Sequence, residues 1–409
     1  MSSELSTASD YTIRPLGDFF DIVKVRSDAS LPIYSVTLRD GMQRRDELGR
    51  IIQSDLKSED NLFAAKNDVC YNMMRMWQGA CGLAPENCHV SPAYVVCRPK
   101  EGLDPRFAAY LLKSEQALKQ FIDKSQGVTS DRWRLYPEEF AKIRLPIPPL
   151  PEQKKIAEIL SGIDTVIWNH KARAKKCEEL IAATEERTFE VFRKDDLGQQ
   201  DRAGRNAKEV IALGDIFEFR NGLNYSKANT GRGLKVVGVG DFKNYRTPKY
   251  ESLGELSPEG LDFDLSLLQE GDFLFVRSNG NRLLIGRCLS IEKIPTGAPV
   301  VHSGFTIRAR PRNQHAYSND YIKQLLQSRI FRRSVAELGG GTNISNLSQD
   351  ILSETMIALP SIQRQEKESS GLLAIQGFYE HTQNKVIRLE AMKVAVSSDL
   401  LSGRKRVTV

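Results

Sequence analysis

A few short clusters in this sequence have the residue types that carry chemistry. Glu152-Gln153-Lys154 has the Glu-x-Lys spacing of metal-dependent nucleases. It follows a run of prolines at a helix start and has no acidic partner on a strand, so a capping role beside the helix dipole is expected. Cys70, Cys81, Cys88-His89 and Cys97 fall close together, but no Cys-x2-Cys pair is among them, and Cys70 and Cys97 sit in apolar, strand-like runs. Buried structural thiols are expected there, with no metal. Gly238-Val239-Gly240 lacks the third glycine of a dinucleotide fingerprint and reads as a turn between strands. Gly339-Gly340-Gly341 has two open readings: close approach to a phosphate backbone, or the end of the preceding helix. The sequence contains neither the Gly-x4-Gly-Lys-Ser/Thr loop of nucleotide hydrolases nor the Asn/Asp-Pro-Pro-aromatic motif that holds a base for methylation. His170 falls on a helix seam and reads as a packed or register-setting residue. No catalytic residue is expected in this chain.

The elements that must carry the remaining function belong to a large, ordinary globular chain. Its 409 residues exceed what one hydrophobic core organises, and 40% hydrophobic with 27% charged residues excludes a largely disordered protein. No apolar run is long enough for a membrane span and the N-terminus lacks a signal-peptide layout, so a soluble, cytoplasmic protein with reduced cysteines is expected. Net charge is +6, and the whole excess falls after residue 205. Basicity this mild is compatible with nucleic acid without arguing for it.

The chain repeats itself. Leu16-Gly17-Asp18-Phe19-Phe20 returns as Leu213-Gly214-Asp215-Ile216-Phe217, and Lys66-Asn67-Asp68-Val69-Cys70 as Glu270-Gly271-Asp272-Phe273-Leu274. Tyr110 to Ser114 matches Gln324 to Ser328, Gly127-Val128-Thr129 matches Gly340-Gly341-Thr342, and Ile147-Pro148 through Gln153 matches Leu359-Pro360 through Gln365. Landmarks in one order imply a duplicated unit. Each copy has short β-rich runs, glycine and asparagine turns and a late helix, closed by a proline boundary that starts a long helix.

Both long helices have heptad spacing. Leu372, Ile375, Tyr379, Thr382, Val386, Leu389, Lys393, Val396 and Leu400 alternate steps of three and four. Ile156, Ile159, Leu160, Ile163, Val166, Ile167, Cys177, Leu180, Ile181 and Val191 form a wider stripe, interrupted at His170 and Arg173. Such seams imply a supercoiled partner, and each helix is the other's most economical one. Running from Glu152 to Lys194, the first would be about 65 Å long. The expected fold is α+β: two mixed α/β domains, each followed by a long helix, the helices pairing as an antiparallel coiled coil in a pseudo-two-fold repeat. The boundaries are 1–147 for the first domain, 148–195 for its helix, 196–207 for a polar linker, 208–359 for the second domain and 360–409 for the second helix and a basic tail.

The stretch Leu145-Pro146-Ile147-Pro148-Pro149-Leu150-Pro151-Glu152-Gln153-Lys154-Lys155-Ile156-Ala157-Glu158-Ile159-Leu160 resembles the junction of a target-recognition domain with its helix in the DNA specificity subunits of type I restriction–modification systems. The resemblance covers essentially the whole chain. The second junction, Leu359-Pro360-Ser361-Ile362-Gln363-Arg364-Gln365-Glu366, departs from the pattern by lacking Pro-Pro and by carrying Arg364 in place of Glu. The resemblance implies a noncatalytic subunit whose two domains each read one half of a split, asymmetric DNA site, with the helices as a ruler. It also implies two methyltransferase subunits carrying S-adenosylmethionine, and restriction subunits that use ATP and Mg²⁺ as translocase and nuclease. Two other readings stay open: an assembly scaffold without its own DNA specificity, and a stand-alone metal-dependent endonuclease.

Base reading needs Arg, Lys, Asn, Gln or Ser/Thr at groove edges, and phosphate positioning needs cations and backbone amides. In the first domain the expected contacts are Arg39, Gln43, Arg44 and Arg45 in one polar-basic loop, Arg75 and Gln78 in a Met/Trp-rich turn, and Thr129 and Arg132 in a loop opened by Gly127, where glycine would let backbone approach phosphate. In the second they are Arg277, Asn279, Asn281 and Arg282, with Thr342 and Asn343 at the place of Thr129, and Arg220 and Asn221 as further candidates.

Overall fold

A computed structural model describes residues 11–26, 30–48, 60–129, 132–192, 209–242, 246–312, 317–338 and 346–408. The chain divides into two compact units: residues 1–172 with 383–409, and residues 173–382. The division falls inside both long helices, so each unit holds one mixed domain and a stretch of each helix.

Among the described residues of the first unit, ten strands build three small sheets. The first comprises β1 (Thr12–Pro15) and β10 (Arg144–Ile147), antiparallel to each other. The second has the order β2-β9-β6-β7, from β2 (Phe20–Val23), β6 (Val69–Asn72), β7 (Cys81–Leu83) and β9 (Tyr94–Pro99), all antiparallel. The third has the order β4-β3-β8-β5, from β3 (Ile33–Thr37), β4 (Gly41–Arg44), β5 (Leu62–Ala64) and β8 (Cys88–Val90), with β3 and β8 parallel. Phe107, Phe121, Phe140 and Tyr71 pack between the second sheet and the short helices Pro105–Leu111, Glu115–Lys124 and Pro137–Lys142. Burying a side chain of this size contributes about 1.5–3 kcal/mol. Cys70, Cys81, Cys88 and Cys97 lie buried on β6 to β9, and burial pushes each thiol up; none is available as a thiolate at neutral pH.

The second unit repeats this plan. β11 (Val191–Phe192) and β12 (Glu209–Ala212) flank β20 (Met356–Leu359). The four-stranded sheet has the order β13-β19-β16-β17, from β13 (Phe217–Asn221), β16 (Phe273–Val276), β17 (Cys288–Ser290) and β19 (Thr306–Pro311). A third sheet joins β14 (Thr230–Val237), β15 (Gly254–Leu256) and β18 (Val300–His302), with β14 and β18 parallel like β3 and β8.

The repeat holds to single hydrogen bonds. Asp68 ends a turn entered through Asn67 at φ 72°, accepts from the amide of Ala65 and takes a bidentate pair from Arg98 at 2.9 and 3.0 Å. Asp272 does the same after Gly271 at φ 91°, accepting from the amide of Gln269 and from Arg310 at 2.8 Å twice. Both carboxylates are buried, and the fork geometry of arginine suits such pairs. Gly17 and Gly214 share a different constraint: an added Cβ would meet Ala141 in one copy and Ser353 in the other at 3.1 Å or less.

The first long helix spans Leu150–Thr188 and the second Ile362–Leu401. The first therefore begins before Glu152 and ends short of Lys194, for a length of about 58 Å over 39 residues. After Thr188 the backbone leaves the helix, and β11 pairs with β20. Within the first unit the helices run antiparallel: Asp164 pairs with Lys393 at 2.5 Å and Lys171 with Glu390 at 2.7 Å. Within the second, Ile181 packs against the core that holds Leu372. All nine seam positions of the second helix are buried or half-buried, as the heptad spacing requires. The first helix has a narrower seam than its sequence suggests, because Val166 and Leu180 point to solvent at 42% and 51% exposure and small Ala174 is buried beside exposed Arg173.

Each junction glutamine is an anchor. Gln153 accepts from the amide of Asp104, the N-cap of Pro105–Leu111, and donates to the carbonyls of Gly102 and Pro148. Gln365 accepts from the amide of Ser318, the N-cap of Asn319–Gln327, and donates to Pro360. Glu152 lies in the first turn of its helix, where an acidic residue suits the dipole. Its buried carboxylate accepts from Tyr11 Oη at 2.9 Å, from Arg406 twice and from the amide of Val407. Burial alone would raise this carboxyl, but the bonds from Arg406 and Tyr11 hold it below its ordinary range. Arg364 stands at the equivalent place in the second junction and pairs on the surface with Glu368.

Candidate nucleic-acid interface

In the first unit two loops meet at one end of the β2-β9-β6-β7 sheet. β6 runs into a tight turn that closes through Gly79 at φ 86°. Met76 is fully buried there, while Met74, Arg75 and Gln78 face solvent, so the Met/Trp cluster divides between core and surface. The second loop carries Gly127, Thr129 and Arg132. Thr129 and Arg132 are exposed, and Val128 is 94% exposed. The amide of Leu135 donates to the carbonyl of Met73 at 3.0 Å, and Trp77 meets Trp133 edge to face at 5.4 Å. Arg75, Gln78, Thr129 and Arg132 are thus brought to one face. Gly127 has a reason other than phosphate approach: a Cβ there would lie 2.6 Å from the carbonyl oxygen of Arg132, so the loop's own closure requires it.

In the β3–β4 hairpin the polar side chains largely bond one another. Gln43 Nε2 donates to the carbonyl of Asp40, Arg44 forms a two-bond pair with Asp46, and Arg45 Nε donates to Ser35 Oγ. Three of the four side chains are engaged within the hairpin. Exposed Arg39 instead lines a groove of about 920 Å³ with Arg106, Lys113, Lys393 and Arg404.

The second unit builds the corresponding face differently. The amide of Leu347 donates to the carbonyl of Arg277 at 2.8 Å, the counterpart of Leu135 and Met73. Thr342 and Asn343 lie outside the described residues. Arg277 donates from its backbone to Phe305 O and from its guanidinium to Gly304 O, which ties it to the turn between β18 and β19. Asn279 Oδ1 accepts from the amide of Asn281, and Asn281 Oδ1 in turn accepts from Leu283. These asparagines shape the loop and leave Arg282 exposed at its tip. Arg220 pairs with Glu218 at 3.4 Å, and Asn221 is exposed at the end of β13.

Between these loops lies a cleft of about 430 Å³ lined by Tyr225, Gly238, Val239, Ser278, Asn279 and Phe305 above Ser303. The turn read at Gly238-Val239-Gly240 forms part of this wall, its Gly238 amide held by Asp241 Oδ2. Tyr225 and Phe305 are 41% and 63% exposed, whereas Ser303 is buried and its Oγ has no hydrogen-bond partner among the described residues. Beside it, His302 donates to or accepts from Thr306 Oγ1 through Nδ1, and burial with Arg308 and Arg310 nearby pushes its pKa down to about 3. Tyr225, Ser303 and Phe305 are not among the residues expected from the sequence. The available signal is Ser303-Gly304-Phe305, an aromatic left in a short polar turn between two β-branched runs.

No group of three or more His, Cys, Asp or Glu among the described residues has metal-binding geometry. What the faces offer is cations, amides, hydroxyls and aromatic rings on loops held by a rigid sheet, an arrangement suited to binding. Among the described residues, no helix is long and apolar enough to cross a membrane.

The chain is similar over 98% of its length to the type I restriction enzyme MjaVIII specificity subunit of Methanocaldococcus jannaschii, at 22% identity and covering 95% of that protein. The MjaIX specificity subunit of the same organism is 28% identical, with 76% of this chain and 71% of that one covered. Among solved structures, the S subunit of a type I restriction-modification system from M. genitalium matches with a TM-score of 0.60 at 15% identity, over 99% of both chains, and so shares the fold. Residues 8–179 and 206–391 each match the type I restriction modification DNA specificity domain, and the chain belongs to that family.

Proposed function

We propose that this chain is the noncatalytic DNA-reading subunit of a type I restriction–modification complex, its two units reading the two unlike halves of one split, asymmetric site. The observation that carries this reading is one duplicated scaffold bearing two different sets of exposed loop side chains. A chain with unlike halves suits an asymmetric site, whereas a symmetric dimer would suit a palindrome. The recognition domains are residues 1–147 and 208–359, each followed by a long helix, Leu150–Thr188 and Ile362–Leu401, while the linker read at 196–207 lies outside the described residues. Contacts to DNA come from Arg75, Gln78, Thr129 and Arg132 in the first domain. In the second they come from Arg277, Asn279, Asn281 and Arg282, from Thr342 and Asn343, which lie outside the described residues, and from Arg220 and Asn221. Arg39, Gln43, Arg44 and Arg45 are weaker contributors, since most of that hairpin's polar groups bond one another.

Catalysis belongs to partner subunits: two methyltransferases with S-adenosylmethionine, and restriction subunits that use ATP and Mg²⁺ in the cytoplasm. A map of methylated bases in the native host, with and without this gene, tests the reading. Loss of methylation at one bipartite motif is the expected result. An unchanged map from an active system, together with flat binding across random duplex pools, would replace DNA reading by a scaffold role.

A further inference from the structure

The cleft in the second unit has features that reading a groove edge does not need. Groove readers present polar side chains outward, as exposed Arg282 does at the tip of the Arg277–Arg282 loop. The cleft is instead concave, and its volume of about 430 Å³ lies within the range of small-ligand pockets. Two exposed aromatic rings, Tyr225 and Phe305, stand at its wall. Exposed rings beside a concavity are platforms on which a nucleobase can stack its π-face.

The floor supplies polar groups suited to a base edge. Ser303 Oγ, 2% exposed and without a partner among the described residues, can both donate and accept. Asn279 has its oxygen engaged by the Asn281 amide, so its Nδ2 is the donor it offers. A buried hydroxyl without a partner is costly, and a ligand atom that bonds it recovers that cost. The turn is held in place: Arg277 donates to Gly304 O and Phe305 O, and a Cβ on Gly304 would meet Asn224 Oδ1 at 2.1 Å and displace that side chain. In the first unit the strand register puts Ala93 where Phe305 stands, and no aromatic ring occupies that turn.

We infer that this cleft receives one nucleobase lifted out of the duplex, sandwiched against Phe305 and Tyr225 and read by Ser303 Oγ and Asn279. The inference rests on the DNA-reading function proposed above and adds to it a second mode of recognition, confined to one half-site. No bond is made or broken; pairing and stacking in the duplex are exchanged for stacking on the rings and hydrogen bonds in the cleft.

The test is a mismatch scan. The full chain, with its methyltransferase partner, is titrated by fluorescence anisotropy against duplexes in which each base pair of the second unit's half-site is mismatched in turn. Mismatches weaken a groove reader. At the position of the lifted base a mismatch prepays the unpairing, so binding tightens by about tenfold. Phe305→Ala and Tyr225→Ala abolish that gain, and Phe305→Trp, which keeps a ring, restores it. Sequence-specific binding with no tightening mismatch overturns the inference and leaves the DNA-reading function standing. So does a tightening that persists in Phe305→Ala, which would assign base extraction to the partner. Binding that is flat across all sequences overturns the DNA-reading function itself.

Discussion

The two units differ least where their side chains are buried and most where their loops are exposed. Asp68 with Arg98 and Asp272 with Arg310 are the same device in the same register, and so are the loop anchors Leu135–Met73 and Leu347–Arg277. At the ends of these shared supports, the first unit carries Met74, Arg75 and a Trp77–Trp133 pair. The second carries an arginine–asparagine loop and an aromatic cleft. The interior is fixed because a buried charge or polar group without its partner costs several kcal/mol. The tips face water, where a substitution leaves the fold intact, so they are free to acquire different contacts. A duplicated protein can thus read two unlike sequences from one scaffold.

The largest effect that sharpens this comparison is on stability. Asp68→Ala and Asp272→Ala each leave an arginine without its carboxylate and a turn without its acceptor, at a cost of about 3–5 kcal/mol in the affected unit. All three tryptophans, Trp77, Trp133 and Trp168, belong to the first unit, so tryptophan fluorescence follows that unit while far-UV circular dichroism follows both. Asp68→Ala should lower the urea midpoint seen by fluorescence. Asp272→Ala should lower only the dichroism midpoint. A fluorescence shift in Asp272→Ala would mean that the two scaffolds are not separately supported.

These supports are the legible part of the sequence. Lys66 to Cys70 and Glu270 to Leu274 align because a buried Asp after a left-handed turn leaves little choice of residue, and the heptads of the second helix are visible because one face must be apolar. The first helix looks wider in sequence than it is, since Val166 and Leu180 obey the spacing yet face solvent. It also looks longer, because pairing of Val191 with Ile357 competes with helix at its end and wins. The site is harder to read, as polar loop residues look alike whether they bond each other or wait for a ligand. Gln43, Arg44 and Arg45 have the composition of DNA contacts but close their own hairpin. Phe305 borders a β-branched run and so resembles a strand residue, and the register places it in the turn before β19.

A smaller effect separates the tips. Charge reversal at Arg277 and Arg282 should weaken or relax reading of one half-site by about 10- to 100-fold, at about 1–3 kcal/mol for each base no longer read. Reversal at Arg75 and Arg132 should do the same at the other half-site. Binding to duplexes randomised in one half at a time is the measurement. Equal losses at both halves from either pair would end the modular reading.

The smallest effect concerns a position where even the interiors differ. His302 ends β18 at the place where Val90 ends β8. Buried beside Arg308 and Arg310, it titrates near 3 in the folded chain against about 6.5 when unfolded. Between these values the unfolded chain binds the extra proton, so stability of the second unit is complete above pH 6.5 and falls as the pH drops toward 3. From pH 7 to pH 5 the loss is about 2 kcal/mol. His302→Val, which copies the first unit, should flatten the dependence by that amount in the dichroism transition. If the wild-type dichroism midpoint holds steady across that range, His302 is paired in the folded state by a group that keeps its proton, and the interiors are more alike than their sequences.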